Sequence, residues 1–274
     1  MTYSRLYRQI KSLIGGEANE FCRCFFRRGP ADIRFDEHET DEETAKNALS
    51  LCERIRDGEP MQYIFGFAYF YGLEIECRQN VLIPRSDTET AVEIAVKTLP
   101  RGSVFADICC GTGCIAAAVL NARPDLKAVC ADINEDAVSL TRKNLEKYGL
   151  SGRAEAVVFD VFSDWSVLPH FDAVVSNPPY IKTADMASLP DNVKREPYNA
   201  LCGGEDGLDF YKRIITAVGK RLAGKTHIIF EIGYDEARDL ERLAEEAGLS
   251  YELYKDVSGN DRVVVLKGSG LWKN

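Results

Sequence analysis

The chain has 274 residues, which at the ~150 residues of a typical domain means one large domain or a large and a small one. Apolar residues make up 45% and charged residues 28%, near the soluble globular average, so a mainly disordered, collagen-like or coiled-coil architecture is excluded. A net charge of −9 argues against a protein that lives on a nucleic-acid backbone, because counterion release needs clustered positive charge.

The first 58 residues read as helical and charged. Tyr3, Leu6, Ile10 and Leu13 recur at helical spacing, and Thr40-Asp-Glu-Glu opens a second run through Ala45, Leu49, Cys52 and Ile55. Residues 1–28 carry six bases against two acids, whereas 31–59 carry ten acids against four bases. This asymmetry fits either two solvated helix faces or a partner-binding module. The polar start lacks a signal-peptide core, and the longest apolar run, Cys114 to Leu120, is far below the ~18 residues of a membrane span. A cytoplasmic protein without membrane attachment is expected, with a monomer as the default.

From Pro60 to Pro84 the texture turns aromatic and β-branched. Tyr63-Ile-Phe-Gly-Phe-Ala-Tyr-Phe-Tyr and Leu73-Glu-Ile-Glu-Cys alternate with period two, which predicts a β-hairpin over 59–84 joining the helical segment 1–58 to a larger domain 85–274. Helix-like and strand-like stretches then alternate: helix 87–98, strand 103–108, helix 113–121, strand 127–132, helix 135–147, strands 154–159 and 171–176, helix 205–222, strand 226–232 and helix 235–247. That order predicts an α/β fold with a parallel sheet and helices on both faces. Tyr251 to Lys255 and Arg262 to Leu266, joined by Ser-Gly-Asn-Asp, add a terminal antiparallel hairpin.

Asp107-Ile-Cys109-Cys110-Gly111-Thr112-Gly113 lies where the first strand of the larger domain turns into a helix, and Asp132 ends the next strand. Glycines there let backbone approach a ligand, and a carboxylate at Asp132 can accept two ribose hydroxyls. A dinucleotide or S-adenosylmethionine satisfies this pattern equally. Asp107 favours the second, since it would repel a pyrophosphate but could help hold the ammonium of a methionine moiety. Asp160, with Val161 beside it, is either an adenine contact or a solvated strand-end acid. Nine cysteines without zinc spacing, mostly among apolar neighbours, read as reduced buried thiols with no metal site.

After the fourth strand comes Asn177-Pro178-Pro179-Tyr180. Two prolines stop the ladder and stiffen a loop at the carboxyl edge of the sheet. A planar amide or aromatic amine has a delocalised, weakly nucleophilic nitrogen. To methylate it, a site must grip both N–H groups with acceptors. The Asn177 side-chain oxygen and the Pro178 carbonyl suit that task, with Tyr180 stacking on the planar group.

These motifs, with Gly58-Glu-Pro-x-Gln-Tyr-Ile, Val81-Leu-Ile-Pro-Arg85-x-x-Thr88-Glu89, Glu196-Pro197, Gly203-Gly-Glu-Asp-Gly and Glu231-Ile-Gly233, resemble the HemK/PrmC family of protein-glutamine methyltransferases nearly end to end. The resemblance implies a Rossmann-like methyltransferase domain with a terminal antiparallel strand, a helical N-terminal domain that contacts the substrate protein, and a hairpin linker. It further implies that S-adenosyl-L-methionine is the cofactor and that the glutamine of Gly-Gly-Gln in peptide chain release factors is the target. The expected cofactor residues are Asp107, Cys109, Cys110, Gly111, Thr112, Gly113, Asp132, Asp160, Val161 and Asn177. The expected substrate residues are Arg85, Asn177, Pro178, Pro179 and Tyr180. The family usually writes Asp-Leu-Gly-Thr-Gly-[ST]-Gly in the loop, so Cys109 replaces its first glycine and adds a Cβ near the cofactor. Arg85 and Glu89 are expected either to orient the substrate loop or to pair with each other, and Glu196 to brace the Asn177 loop or lie exposed. A nucleic-acid amino-methyltransferase shares the tetrapeptide but would want a basic cleft. A nicotinamide-dependent oxidoreductase would leave the tetrapeptide unexplained, and a noncatalytic module would follow if Cys109 and Cys110 abolish cofactor binding.

Overall fold

A computed structural model describes residues 1–222 and 227–268. It divides into two compact units, residues 1–67 with 190–195, and residues 68–189 with 196–268.

The smaller unit is helical, with helices Tyr3–Ile14, Ala18–Phe26, Pro30–Arg34, Glu42–Arg56 and Met61–Phe65. The first begins where the Thr2 hydroxyl accepts the Arg5 N–H, and the fourth where Asp41 accepts the Thr44 N–H, each a side-chain cap worth ~1 kcal/mol. Leu6, Ile10, Phe21, Ile33, Ala48 and Cys52 are fully buried in one cluster, so the apolar stripes read from spacing face a common core. Segment 190–195 belongs to this unit through Arg195, whose guanidinium donates to the Asp57 carbonyl at 2.7 Å.

One element departs from expectation. Met61–Phe65, read as strand from its aromatic texture, is a helical turn. Pro60 precedes it with φ −58°, already set for a helix start, and Gly66 closes it at φ +77°, a left-handed position that glycine takes without steric cost. Phe65 then packs edge-on to Phe21, and local capping outweighs β propensity.

The hairpin strands are short, β1 Phe67–Phe70, all but its first residue in the larger unit, and β2 Leu73–Glu76. Beyond them lie β3 Val104–Ile108, β4 Lys127–Asp132, β5 Ala154–Val158, β6 Ala173–Ser176, β7 His227–Glu231, β8 Leu249–Lys255 and β9 Asp261–Gly268. The last seven form one sheet in the order β5-β4-β3-β6-β7-β9-β8. Pairings from β5 to β7 are parallel, while β9 runs antiparallel to β7 and β8. Helices Glu89–Thr98, Cys114–Ala122, Glu135–Lys147, Asp209–Leu222 and Ala237–Glu246 supply the crossovers and flanks. This is the Rossmann-like methyltransferase architecture expected from the sequence.

Alternate strand residues feed two cores, as a period-two pattern requires of a sheet buried on both faces. Phe105, Cys130, Val175, Ile229 and Val265 join one cluster. Ala106, Ile108, Ala131, Val174, Ile228 and Val264 join the other. Each fully buried Val or Ile contributes roughly 1.5–3 kcal/mol. The strand order reverses direction between β3 and β6, so their carboxyl ends diverge and open a crevice where ligands of such sheets bind.

Candidate active site

The crevice is lined by the ends of β3, β4, β5 and β6 and covered by the segment 80–85. Cys109, Cys110, Gly111, Thr112, Asp132, Asp160, Val161, Asn177, Pro179 and Arg85 all face it.

The loop after β3 is held from below by the helix Glu135–Lys147. Thr141, fully buried, donates to the Gly111 carbonyl at 3.0 Å, and Asn144 donates to the Thr112 carbonyl at 2.9 Å. Buried polar side chains thus satisfy loop carbonyls that the sheet leaves without partners. Gly111 turns with φ +54°, and its N–H donates to Asp132 Oδ2 at 2.9 Å. The other Asp132 oxygen accepts the Asn134 N–H at 2.9 Å. Each carboxylate oxygen thus accepts one of these N–H groups, and Asp132 itself lines the crevice. Burial raises the Asp132 pKa, opposed by those backbone donors. Asn134 also donates to the Asn80 carbonyl at 2.6 Å, which pins the covering segment beside Asp132.

The covering segment has its own strut. Glu196 is buried, accepts the Ile83 N–H at 2.9 Å and pairs with the Arg85 guanidinium. Glu89 instead accepts the Tyr71 N–H at 2.7 Å, so Arg85 and Glu89 do not pair with each other.

Asn177 follows β6 at the crevice edge. Its Nδ2 donates to Thr88 Oγ1 at 3.2 Å, which turns its Oδ1 away from Thr88. Among the described residues no N–H donates to the Pro178 carbonyl. Asn177 Oδ1 and the Pro178 carbonyl are thus two acceptors without a donor among the described residues.

A family model described as Methyltransferase small domain matches residues 84–193. The release factor glutamine methyltransferase of Clostridium botulinum is 36% identical over 234 residues, covering 84% of this chain and 82% of that protein. The protein of the same name from Thermodesulfovibrio yellowstonii is 36% identical over 237 residues, 84% of each chain. This chain belongs to the release factor glutamine methyltransferase family. It is accordingly a methyltransferase with S-adenosylmethionine as methyl donor. Among solved structures, the hMettl16 catalytic domain in complex with the MAT2A 3′UTR hairpin 6 superposes with a TM-score of 0.57 at 17% identity, over 83% of this chain and 82% of that one. At that identity the likeness is one of fold.

The crevice fits this donor. Asp132 offers two acceptor oxygens for a ribose diol, half-exposed Ile133 and Phe162 give the crevice apolar rims, and Asp160 lies at the far end. The Asp160 carboxylate already accepts the Phe162 N–H at 2.8 Å and retains a second oxygen for an adenine amino group. A Cβ built on Gly111 would meet nothing nearer than Val81 at 4.0 Å, so the space above this glycine is open to a ligand.

Four of the expected site residues, Asp107, Gly113, Pro178 and Tyr180, do not line the crevice. Asp107 is fully buried and does not line the crevice; one oxygen accepts the Ala116 N–H at 3.1 Å and the other has no partner among the described residues. Desolvation pushes its pKa up to about 7. Gly113 also sits outside the lining: its φ is +73° and a Cβ there would come within 2.7 Å of Thr141, so this glycine serves helix packing. Tyr180 does not face the crevice either. It packs on the second core cluster, and burial raises the pKa of its phenol. Pro178 is buried and likewise absent from the lining, although its neighbours Asn177 and Pro179 belong to it.

Cys109 takes φ +60°, the left-handed geometry the family's glycine would adopt freely. It lines the crevice, and burial beside Asp132 and Asp107 raises its thiol pKa well above normal, as it does for Cys110. Neither is a reactive thiolate. Sequence reasoning assigned no role to Thr88, Asn134 or the apolar rim. Thr88 stood inside the quoted leader motif, but no spacing rule links it to Asn177.

Proposed function

We propose that this protein methylates the side-chain amide nitrogen of the glutamine in the Gly-Gly-Gln motif of a peptide chain release factor. The observation that carries the reading is Asn177, whose Nδ2 is taken by Thr88 while its Oδ1 remains an unused acceptor at the crevice edge.

When bound, S-adenosylmethionine supplies an electrophilic sulfonium methyl. Asn177 Oδ1 and the Pro178 carbonyl each accept one N–H of the substrate amide, which fixes the plane of the group and aims its nitrogen at the methyl. Holding both hydrogens also favours the transition state, where the nitrogen gains positive character and its N–H groups become better donors. One N–H proton leaves to solvent as the methylated amide forms. Among the described residues the Asn177 loop carries no strong base, and positioning with exclusion of water supplies most of the acceleration. Asp132 orients the ribose and Asp160 the adenine. Arg85, held by Glu196, borders the entry for the glutamine.

We assign residues 1–58 to recognition of the release factor, residues 59–84 to a linker and residues 85–274 to catalysis. The opposite charges of 1–28 and 31–59 support a protein partner for the first, and the net charge of −9 speaks against stable nucleic-acid binding. No helix of the described residues is long and apolar enough to cross a membrane, and a release factor would be met in the cytoplasm. A monomer satisfies this scheme.

The test is incubation with S-adenosylmethionine and a release factor carrying Gly-Gly-Gln, with the methyl mapped by peptide mass spectrometry. A methyl on that glutamine, absent from a Gln→Ala factor, is expected. The Asn177→Ala enzyme should lose turnover by about a hundredfold or more while still binding S-adenosylmethionine. A normal rate in that variant would remove Asn177 from its role.

A further inference from the structure

The edge strand β5 ends at Val158, and the last ladder bond beyond it runs from the Phe159 N–H to the Asp132 carbonyl at 2.8 Å. Residues 160–163 then leave the sheet with no neighbouring strand on their outer side, so no ladder fixes where they lie. Yet this stretch brings Asp160, Val161 and Phe162 to the crevice. Its shape is local. Asp160 Oδ1 accepts the Phe162 N–H at 2.8 Å, and the Asp160 carbonyl accepts the N–H and the hydroxyl of Ser163 at 2.9 and 2.7 Å. Because a trans peptide sets its N–H opposite its C=O, the Val161 N–H points out of this turn, and it donates to no atom among the described residues. Asp160 Oδ2 and the Val161 N–H thus put an acceptor next to a donor, the complement of the amino group and N1 of adenine.

The placement of the turn comes from the helix Asp209–Leu222. Tyr211, Ile214 and Val218, all fully buried, lock this helix into the second core cluster. Arg213, half-buried on the same helix, turns its guanidinium to three successive carbonyls of the turn. Its Nε donates to Val161 at 2.9 Å, and its Nη2 donates to Phe162 at 3.4 Å and to Ser163. Phe210, one helical turn earlier, meets the Phe162 ring edge-on with centroids 5.2 Å apart. Trp165 Nε1 adds a second donor to the Val161 carbonyl at 2.8 Å. A guanidinium is a rigid, always charged fork of donors, so it can gather several carbonyls in one orientation where a neutral donor would hold one. Arg213 itself does not line the crevice, so whatever it does there it does through the turn.

We propose that Arg213 is a positioning residue for the cofactor: by gathering the carbonyls of Val161, Phe162 and Ser163 it holds the Asp160 carboxylate and the Val161 N–H in place for adenine, and so sets the preference for a 6-amino over a 6-oxo purine. An inosine-type base reverses both groups, offering a carbonyl to the Asp160 carboxylate and an N–H to the Val161 N–H, and a turn free to shift could give way to it. The role rests on the contact between Asp160 and adenine proposed above, and it adds which residue keeps that contact selective.

The test titrates the whole chain by calorimetry with S-adenosylmethionine and with its 6-oxo analogue, in which hypoxanthine replaces adenine. Wild type should bind the analogue about tenfold or more weakly, since a site built for one hydrogen-bond pattern rejects its reverse. Arg213→Met nearly keeps the reach of the side chain and removes the fork. It should weaken S-adenosylmethionine about tenfold or more and cut the preference over the analogue to about threefold or less. A residue that merely stabilised its helix would lower the melting temperature and leave the preference alone. Asp160→Asn keeps the oxygen that accepts the Phe162 N–H and replaces the second oxygen by a donor, so it should abolish or reverse the preference. Should Arg213→Met be too unstable to titrate, Arg213→Gln, too short to span the three carbonyls, decides by the same two affinities. A full preference in the Arg213 variant, whatever its affinity or melting temperature, together with a lost preference in Asp160→Asn, would overturn the role of Arg213 and leave the adenine contact standing. No preference in wild type, or a full preference in Asp160→Asn, would overturn the adenine contact and the role of Arg213 with it.

Discussion

Asp132 holds two jobs at one carboxylate. It accepts the backbone N–H groups of Gly111 and Asn134, which shape the loop, and in the proposed function it also orients the cofactor ribose. Removing a charged acceptor forfeits roughly 1.5–3 kcal/mol. Asp132→Ala is therefore expected to weaken S-adenosylmethionine binding about ten- to 150-fold by calorimetry, and unchanged affinity would exclude the ribose contact. Cys109 is the opposite case, a side chain where the fold needs none. At φ +60° an L-residue costs roughly 1–2 kcal/mol relative to its preferred regions, partly offset by the flexibility a glycine would add to the unfolded chain. Cys109→Gly should leave the melting temperature within a few degrees and let S-adenosylmethionine bind at least as tightly. Tenfold weaker binding would instead make the Cys109 thiol part of the cofactor seat.

The loop Asn177 to Tyr180 is an element whose shape is imposed from outside. Its next residue, Ile181, donates its N–H to the Leu201 carbonyl and accepts from the Gly203 N–H, both at 2.9 Å. A Cβ on Gly203 would lie 2.6 Å from the Gly207 carbonyl oxygen, 2.7 Å from that of Pro179 and 2.7 Å from Tyr180 Cα. All three are backbone, so none can swing aside. Gly203→Ala should displace the gripping carbonyls and cut kcat about tenfold or more while S-adenosylmethionine affinity stays within about threefold. A wild-type rate in the methyl-transfer assay would mean the loop holds its form without this packing. Sequence patterning made the strands and crossover helices legible, because period two and period 3.6 are local and a parallel sheet repeats them. The crevice was legible through motifs such as Gly111 to Gly113 and Asn177 to Tyr180. Contacts set by tertiary packing were not. The strut from Arg85 to Glu196, the Thr88 bond to Asn177 and the departure of 190–195 to the helical unit join residues whose separation no periodicity encodes. The placement of Asp107 and Tyr180 off the crevice lining was not legible for a related reason: sequence puts a residue at a strand end but does not say whether it faces the crevice or the core beneath it.

Across the molecule, buried ionisable groups set how stability follows pH. Burial pushes Asp107, Glu231 and Glu236 each up to about 7. A carboxyl whose folded pKa lies above its unfolded value stabilises the fold while protonated, fully below about 4 and progressively less as pH rises through about 7. His227 acts from the other side. It is 2% exposed with neither ring nitrogen partnered among the described residues, and burial lowers its pKa to about 4. Its neutral ring suits the fold, so its contribution is present above the unfolded value of 6.5 and is lost as pH falls toward 4. On these groups the cofactor-free protein should lose stability as pH rises from about 4 to about 7, with little further change above that. Glu236→Gln keeps the acceptor for the Gly233 N–H, now 2.8 Å from Oε2, and removes one of the three carboxyl titrations, so the decline should shrink by roughly a third to a half. The His227 contribution grows over the same acid range and opposes the decline, so His227→Leu should steepen it below about pH 6.5. Melting curves of the three proteins between pH 4 and 8 separate these contributions, and a slope between pH 4 and 7 identical in wild type and Glu236→Gln would show that Glu236 stays ionised in the folded chain.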